Sequence, residues 1–409
     1  GVHALPVVDL SLQNVSAHQS LINQWLVSHF DEIDLLKACR TSDRDTVRFV
    51  KKSYLELSGY ALVTSKFGLA VAPEIDAFLK VSDRVELLFA LAAREPSFFS
   101  QYGMALGYLA QDADYRDVVR DFVAHLPVFR AADPSESAPQ KMLDTLYVLH
   151  VIGLDAPVRL HDYARALLNA WGDVFHLGEQ HVYFLTHMIF FLNGFGAYDW
   201  PLPVVQANPA LLDKAALACL GRNNLDGALE TVIARLVCGQ PLQRTDESIL
   251  LTAFAKLQTY DHLDPYVWSE GQASLRTCFH PMIVTAILCS VLRGRQVDLA
   301  LNYADLDHEG LRAVAVLAGL TEALGQHDFN KIDAAVQLLD SDALKALLSE
   351  ETRSSIHRDF QALKRLLQLG DGQGFGFFLP EQKSGIAINH DQRQHVARWF
   401  ASESFYALV

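Results

Sequence analysis

Cysteine is scarce in this chain and shows no pairing pattern. The five residues, Cys39, Cys219, Cys238, Cys278 and Cys289, are odd in number, widely spaced and form no C-x-x-C. That excludes a disulfide framework and a sequence-local zinc ribbon, and it predicts reduced thiols in a reducing, cytoplasmic compartment. Basic residues are outnumbered, 34 Lys and Arg against 48 Asp and Glu, for a formal charge of −14. No basic patch offsets this, so neither nucleic acid nor an anionic membrane is expected as a partner. Residues 1–9 carry no charged n-region with a long apolar h-region, and no secretory signal is expected. No apolar stretch is expected to reach the roughly twenty residues of a membrane span.

Several motifs are missing as well. There is no H-E-x-x-H, no G-x-S-x-G, no P-loop lysine and no kinase signature. The glycine run Gly370–Gly376 (GDGQGFG) does not follow a strand and open a helix, which rules out a phosphate or dinucleotide fingerprint there. No nucleotide cofactor is therefore expected. His150, His176, His181, His187 and His280 are too scattered for a local metal site, so no metal ligands are assigned. A zinc or iron site assembled from distant helices stays open. No repeat of fixed period occurs, which argues against a regular tetratricopeptide or ankyrin array.

What remains is a well-packed globular balance. Half of the 409 residues are hydrophobic and 20% are charged. Apolar residues recur at three and four almost everywhere, which predicts an all-α fold of many helices joined by short connections. Two segments, Glu179–Leu192 and Pro281–Leu292, are apolar on nearly every face, as helices enclosed by others are. The favoured architecture is an irregular α/α barrel, a toroid of helical pairs, with a curved helical solenoid as the alternative. The Pro- and Ser-rich stretch Pro127–Pro139 reads as a linker. It divides an N-terminal helical region (1–130) from a main helical domain (140–370). A C-terminal Gly-rich segment and closing helix (371–409) follow, and one continuous domain is the alternative.

The Glu179–Leu192 helix carries one polar stripe. Glu179, Gln180, Tyr183 and His187 share a face at about 100° per residue. A polar stripe on an enclosed helix must find partners or line a wet chamber. If it lines one, a carboxylate, an amide, a phenol and an imidazole meet there, enough for acid–base work. The plainer reading is that these groups bond neighbouring carbonyls. Pro281 suggests a first helical position, which makes His280 the N-cap at the mouth of a barrel, although histidine caps poorly. Asp112, Asp114 and Asp117 resemble a magnesium motif only weakly, and helix capping explains them.

Two segments resemble known sequence patterns. Leu185-Thr186-His187-Met188-Ile189-Phe190-Phe191-Leu192-Asn193-Gly194-Phe195-Gly196 resembles a Thr-His, aromatic-pair, Asp-Phe-Gly pattern. That pattern belongs to an uncharacterised, mostly actinobacterial all-helical family, often found in natural-product gene clusters. Cys278-Phe279-His280-Pro281 resembles the same family's Tyr-His-Thr-Thr pattern. The resemblance spans Lys141–Leu292. Asn193 and Gly194 depart from it where a Thr-Asp pair is expected, and Pro281 departs where a threonine is. It implies a role near small-molecule biosynthesis and pairs His187 with His280.

The functional expectation is an enzyme of specialised metabolism acting on a small or carrier-bound substrate. His187, His280, Tyr183 and Glu179 are its candidate catalytic residues. Gln180, Thr186, Phe190 and Asn193 are its candidate substrate contacts. Lyase, isomerase, cyclase and hydrolase chemistry all stay open, as does a homodimer. The alternatives are a non-catalytic interaction scaffold, with an open groove in place of a chamber, and a metal-dependent enzyme.

Overall fold

The computed structural model describes residues 7–40, 43–126, 139–154, 179–196, 205–206, 208–259, 275–322 and 329–370. Within them lie 17 α-helices and one two-stranded sheet. In chain order the elements begin β1 (Val7–Leu10), α1 (Leu12–Ser28), α2 (Leu35–Ala38), α3 (Arg44–Lys66), α4 (Pro73–Lys80) and α5 (Ser82–Arg94). Next come α6 (Phe99–Leu109), α7 (Ala113–His125), α8 (Pro139–Ile152), α9 (Glu179–Leu192), α10 (Ala210–Gly221) and α11 (Leu225–Val237). The rest are α12 (Arg244–Thr259), α13 (Leu275–Gly294), β2 (Leu299–Asn302), α14 (His308–Glu322), α15 (Phe329–Leu339), α16 (Asp342–Leu347) and α17 (Glu350–Gly370). The fold is all-α. β1 and β2 pair antiparallel, with Val7 opposite Asn302 and Leu10 opposite Leu299.

Six helices pack in a closed order. α3 lies on α6, α6 on α8, α8 on α9, α9 on α11, α11 on α13, and α13 returns to α3. α1 covers α13 from outside, α10 covers α11, and α14 and α17 join through α10. Close approach in the ring needs small residues. A Cβ on Gly103 of α6 would fall 2.6 Å from Val148 Cγ1 of α8, so only glycine lets these helices meet this tightly.

One apolar core runs from Leu10 to Leu306 and takes in residues on both sides of 127–138. A second cluster joins Leu217 of α10 to residues 313–367 of α14–α17. Residues 127–138 of the expected linker lie outside the described residues. So do the expected helix His161–Trp171, the stretch 371–388 and the closing helix Asp391–Phe400.

Helix starts follow the local chemistry to within a residue or two. Asp43 caps α3, its carboxylate accepting from the Asp45 amide at 3.1 Å. The cap of α7 is Asp112. It accepts from the Asp114 amide at 2.9 Å and pairs with Lys80 at 2.9 Å, which accounts for the aspartate-rich segment by capping.

The start of α13 corrects the sequence reading. Pro281 lies inside this helix, which already runs from Leu275, so His280 is an interior residue and not an N-cap. Proline there cannot donate to the Thr277 carbonyl, but burial of most of the helix outweighs that loss. The expected absence of a long apolar stretch is also corrected. α13, with 20 residues, is long and apolar enough by composition to cross a membrane, and 72% of its apolar window is buried inside the protein.

Candidate active site

The six helices border an open-mouthed cavity of about 1050 Å³. Each ring helix contributes to its wall through residues spaced three and four apart. α3 supplies Leu55, Glu56, Gly59, Leu62 and Val63; α13 supplies His280, Ile283, Val284 and Ile287. α9 gives His187, Phe190 and Phe191, α11 gives Glu230 and Ile233, α8 gives Asp144, and α6 gives Tyr102 and Met104. A Cβ on Gly59 would meet nothing within 4 Å. Glycine in a helix interior costs about 0.5–1 kcal/mol relative to alanine, so α3 carries an energetic penalty at the position that leaves the cavity open.

The ionisable groups form two linked sets. His280 stands between two carboxylates, its Nδ1 at 3.1 Å from Glu56 Oε1 and its Nε2 at 3.2 Å from Asp226 Oδ2. Both ring nitrogens thus face acceptors, the arrangement of an imidazolium. Burial alone would lower its pKa. The charges and hydrogen bonds of Glu56 and Asp226, helped by Glu230, outweigh burial and hold the imidazole well above its ordinary value. Asp226 is held low in return: burial would raise it, and the His280 hydrogen bond and charge with two backbone amides prevail.

His187 Nε2 lies 3.8 Å from Glu230 Oε1. Burial pulls this imidazole down. The nearby Glu230 carboxylate and the Asp144 charge raise it above the ordinary value, while the positive charge of His280 works the other way. Asp144 is poised differently: burial pushes its carboxyl up to about 7, with only the His187 charge opposing. Near neutral pH such a group can both give and take a proton.

The residues expected from sequence divide into several groups. His187, His280 and Phe190 lie together on the cavity wall. Tyr183 does not. Its hydroxyl accepts from Asn224 Nδ2 at 3.0 Å, behind the wall. Burial, with the charges of Asp226 and Glu230, pushes its phenol up, so it remains protonated. Thr186 is fully buried, its hydroxyl 3.1 Å from the Tyr183 carbonyl and 3.4 Å from Glu230 Oε2, where it orients that carboxylate instead of a ligand.

Asn193 is likewise structural. Its Nδ2 donates to the Val237 carbonyl at 3.1 Å, and its Oδ1 accepts from the Gly196 amide at 3.1 Å. These bonds hold Phe195 at φ 57°, a left-handed conformation that costs a non-glycine residue energy and here turns the ring onto the cavity wall, stacked on Phe190 at 5.0 Å. Asn193→Ala is expected to lower unfolding free energy by about 2 kcal/mol, the cost of orphaning buried partners. A urea midpoint equal to that of the parent protein would refute this role for Asn193. Glu179 and Gln180 begin α9, and their side chains lie outside the described residues.

Glu56, Asp144, Asp226 and Glu230 went unnoticed in the sequence. Asp144 and Glu230 carried a usable signal, each being an acid on a segment otherwise almost wholly apolar, LYVLHVI following the one and TVI the other. Among the described residues no group of three or more His, Cys, Asp or Glu is arranged to hold a metal ion. The nitrogens of His280 are committed to carboxylates.

Fold and cavity together define an all-α protein with a cavity whose wall carries one imidazole bonded to two carboxylates and a second within ion-pair distance of another. By sequence the chain belongs to the family described as Domain of unknown function (DUF6895), whose model matches residues 20–290. That span starts in α1 and ends in α13, so it includes both histidines and all four carboxylates. No curated protein and no solved structure matches the chain.

Proposed function

We propose that this protein is an enzyme that transfers protons to and from a small or carrier-bound, largely apolar substrate inside the ring cavity. One observation carries the reading. An imidazole fixed between two carboxylates, at 3.1 and 3.2 Å, shares a chamber with a second histidine–carboxylate pair and a carboxyl poised near 7. A fully committed imidazolium anchors Glu56 and Asp226 in place and sets the field in which the neighbouring groups exchange protons. Asp144 and the His187–Glu230 pair are the groups that move protons. Tyr102, Phe190, Phe191 and Phe195 surround the substrate body with apolar surface and exclude water. Isomerase, lyase, cyclase and hydrolase chemistry each fit this equipment.

The wider setting belongs to the same proposal. We place the enzyme in bacterial specialised metabolism and in the cytoplasm, where the free cysteines of the chain would stay reduced. The six-helix ring would be the inner layer of an α/α toroid. An interaction scaffold would need an open groove, whereas the described helices return upon themselves around the cavity.

The proposal is tested in the producing cell. His187→Asn and His280→Asn variants, confirmed to fold by circular dichroism, are compared with a deletion strain by untargeted metabolite profiling. Both variants should reproduce the deletion profile. A wild-type profile from both folded variants would remove the catalytic reading and favour the scaffold.

A further inference from the structure

The mouth of the cavity differs in charge from the rest of the molecule. On a chain of net charge −14, four cations line one end of the cavity from successive turns of α3: Arg44, Arg48, Lys51 and Lys52. Two of them have partners. Lys51 lies 3.3 Å from Glu95 Oε1, and Lys52 lies 3.8 Å from Glu56 Oε1. Arg44 and Arg48 have no carboxylate within ion-pair reach among the described residues, and both are exposed.

Arg44 is the first residue of α3, where the helix dipole disfavours positive charge, and Arg48 sits one turn further on. Two guanidiniums one turn apart at the entrance of a cavity present a pair of donors suited to an anion between them.

The ring also fixes the distance from this entrance to the reactive groups. Arg48 precedes Glu56, the partner of His280, by two turns of α3, a rise of about 12 Å. Beyond Glu56 the wall turns apolar, with Gly59, Leu62, Val63 and Phe195. A ligand filling this path has an anionic end, a reacting centre near His280 and an apolar end beside Gly59.

We propose that the cavity takes an elongated amphipathic anion, a carboxylate or phosphate on an apolar chain, with its charged end held by Arg44 and Arg48 and its chain running past Glu56 to Gly59. The inference rests on the functional reading of this cavity and names its substrate class. Isothermal titration calorimetry tests it with dodecanoate, dodecyl phosphate and dodecanol as probes below micelle formation. The proteins are the parent, Arg44→Gln/Arg48→Gln and Gly59→Leu.

The parent should bind both anions about tenfold or more tightly than the alcohol, the scale of a charge-assisted contact. Arg44→Gln/Arg48→Gln should lose that preference, keep its affinity for dodecanol and unfold at no lower temperature than the parent. Gly59→Leu, whose side chain enters the open space, should lose all three ligands while staying folded. The relative strength of dodecanoate and dodecyl phosphate tells a carboxylate ligand from a phosphate one. Equal binding of alcohol and anions, no anion binding by the parent, an anion preference that survives loss of both arginines, or undiminished binding by Gly59→Leu would each overturn the proposal. A wild-type metabolite profile in the histidine variants would remove the acid–base reading and leave this binding pattern in place.

Discussion

Arg235→Ala is expected to lower the unfolding free energy by about 3–5 kcal/mol, the range for breaking a buried ion pair by removing one partner. Arg235 is 1% exposed and lies on α11 between two buried carboxylates. It pairs with Asp213 of α10, and its Nε lies 2.6 Å from Asp246 Oδ2 of α12. Asp213 also accepts from the Thr352 hydroxyl of α17 at 2.8 Å, and the Asp246 Oδ2 accepts from the Gln243 amide at 2.7 Å. Without the guanidinium, two carboxylates would remain buried near each other with no cation. Burial already pushes both of them up, and only Arg235 and local hydrogen bonds hold them down.

The loss would reach the cavity, because the same helix carries Asp226, Glu230 and Ile233. Adding Asp213→Asn and Asp246→Asn to Arg235→Ala should recover much of the stability, since the penalty comes from unpaired charge and less from lost volume. Urea denaturation reads both effects. An Arg235→Ala protein with the parent's midpoint would show that this cluster does not hold α11 in place.

Much of this arrangement was legible in the sequence, and the reasons for the remainder are physical. The all-α fold follows from apolar spacing along almost every segment. The two greasy helices, α9 and α13, are largely buried and both pack against α11, because a helix apolar on nearly all faces has nowhere else to go. The polar stripe on α9 proved mixed: His187 faces the chamber, whereas Tyr183 faces Asn224 behind it. A periodicity of 3.6 places residues on a face only to within tens of degrees, and those two residues differ by about 40°.

His280 was singled out for the wrong structural reason. Proline usually marks a first helical turn, and packing of α13 in the centre overrode that preference. The carboxylates that give both imidazoles their character come from α3, α8 and α11. Their distances along the chain are long, the His280–Glu56 pair being 224 residues apart. Nothing local encodes such a contact. It exists only once the ring closes.

Closure of that ring gives the most direct measurement of the whole account. Unfolded histidine titrates near 6.5, and folded His280 is held well above that value by Glu56 and Asp226 against the effect of burial. The stability His280 contributes is therefore fully present below the unfolded pKa and is lost as pH rises through the folded pKa. Glu56→Gln/Asp226→Asn removes both partners and leaves burial opposed only by the charge of Glu230. Ring-nitrogen NMR titration of the double variant should show the His280 pKa well below its value in the parent protein. The His187 pKa should shift in the same sample, since the His280 charge that acts on it is changed. An ordinary His280 titration near 6.5 in the parent, or a His187 that ignores the change at His280, would contradict a shared acid–base chamber.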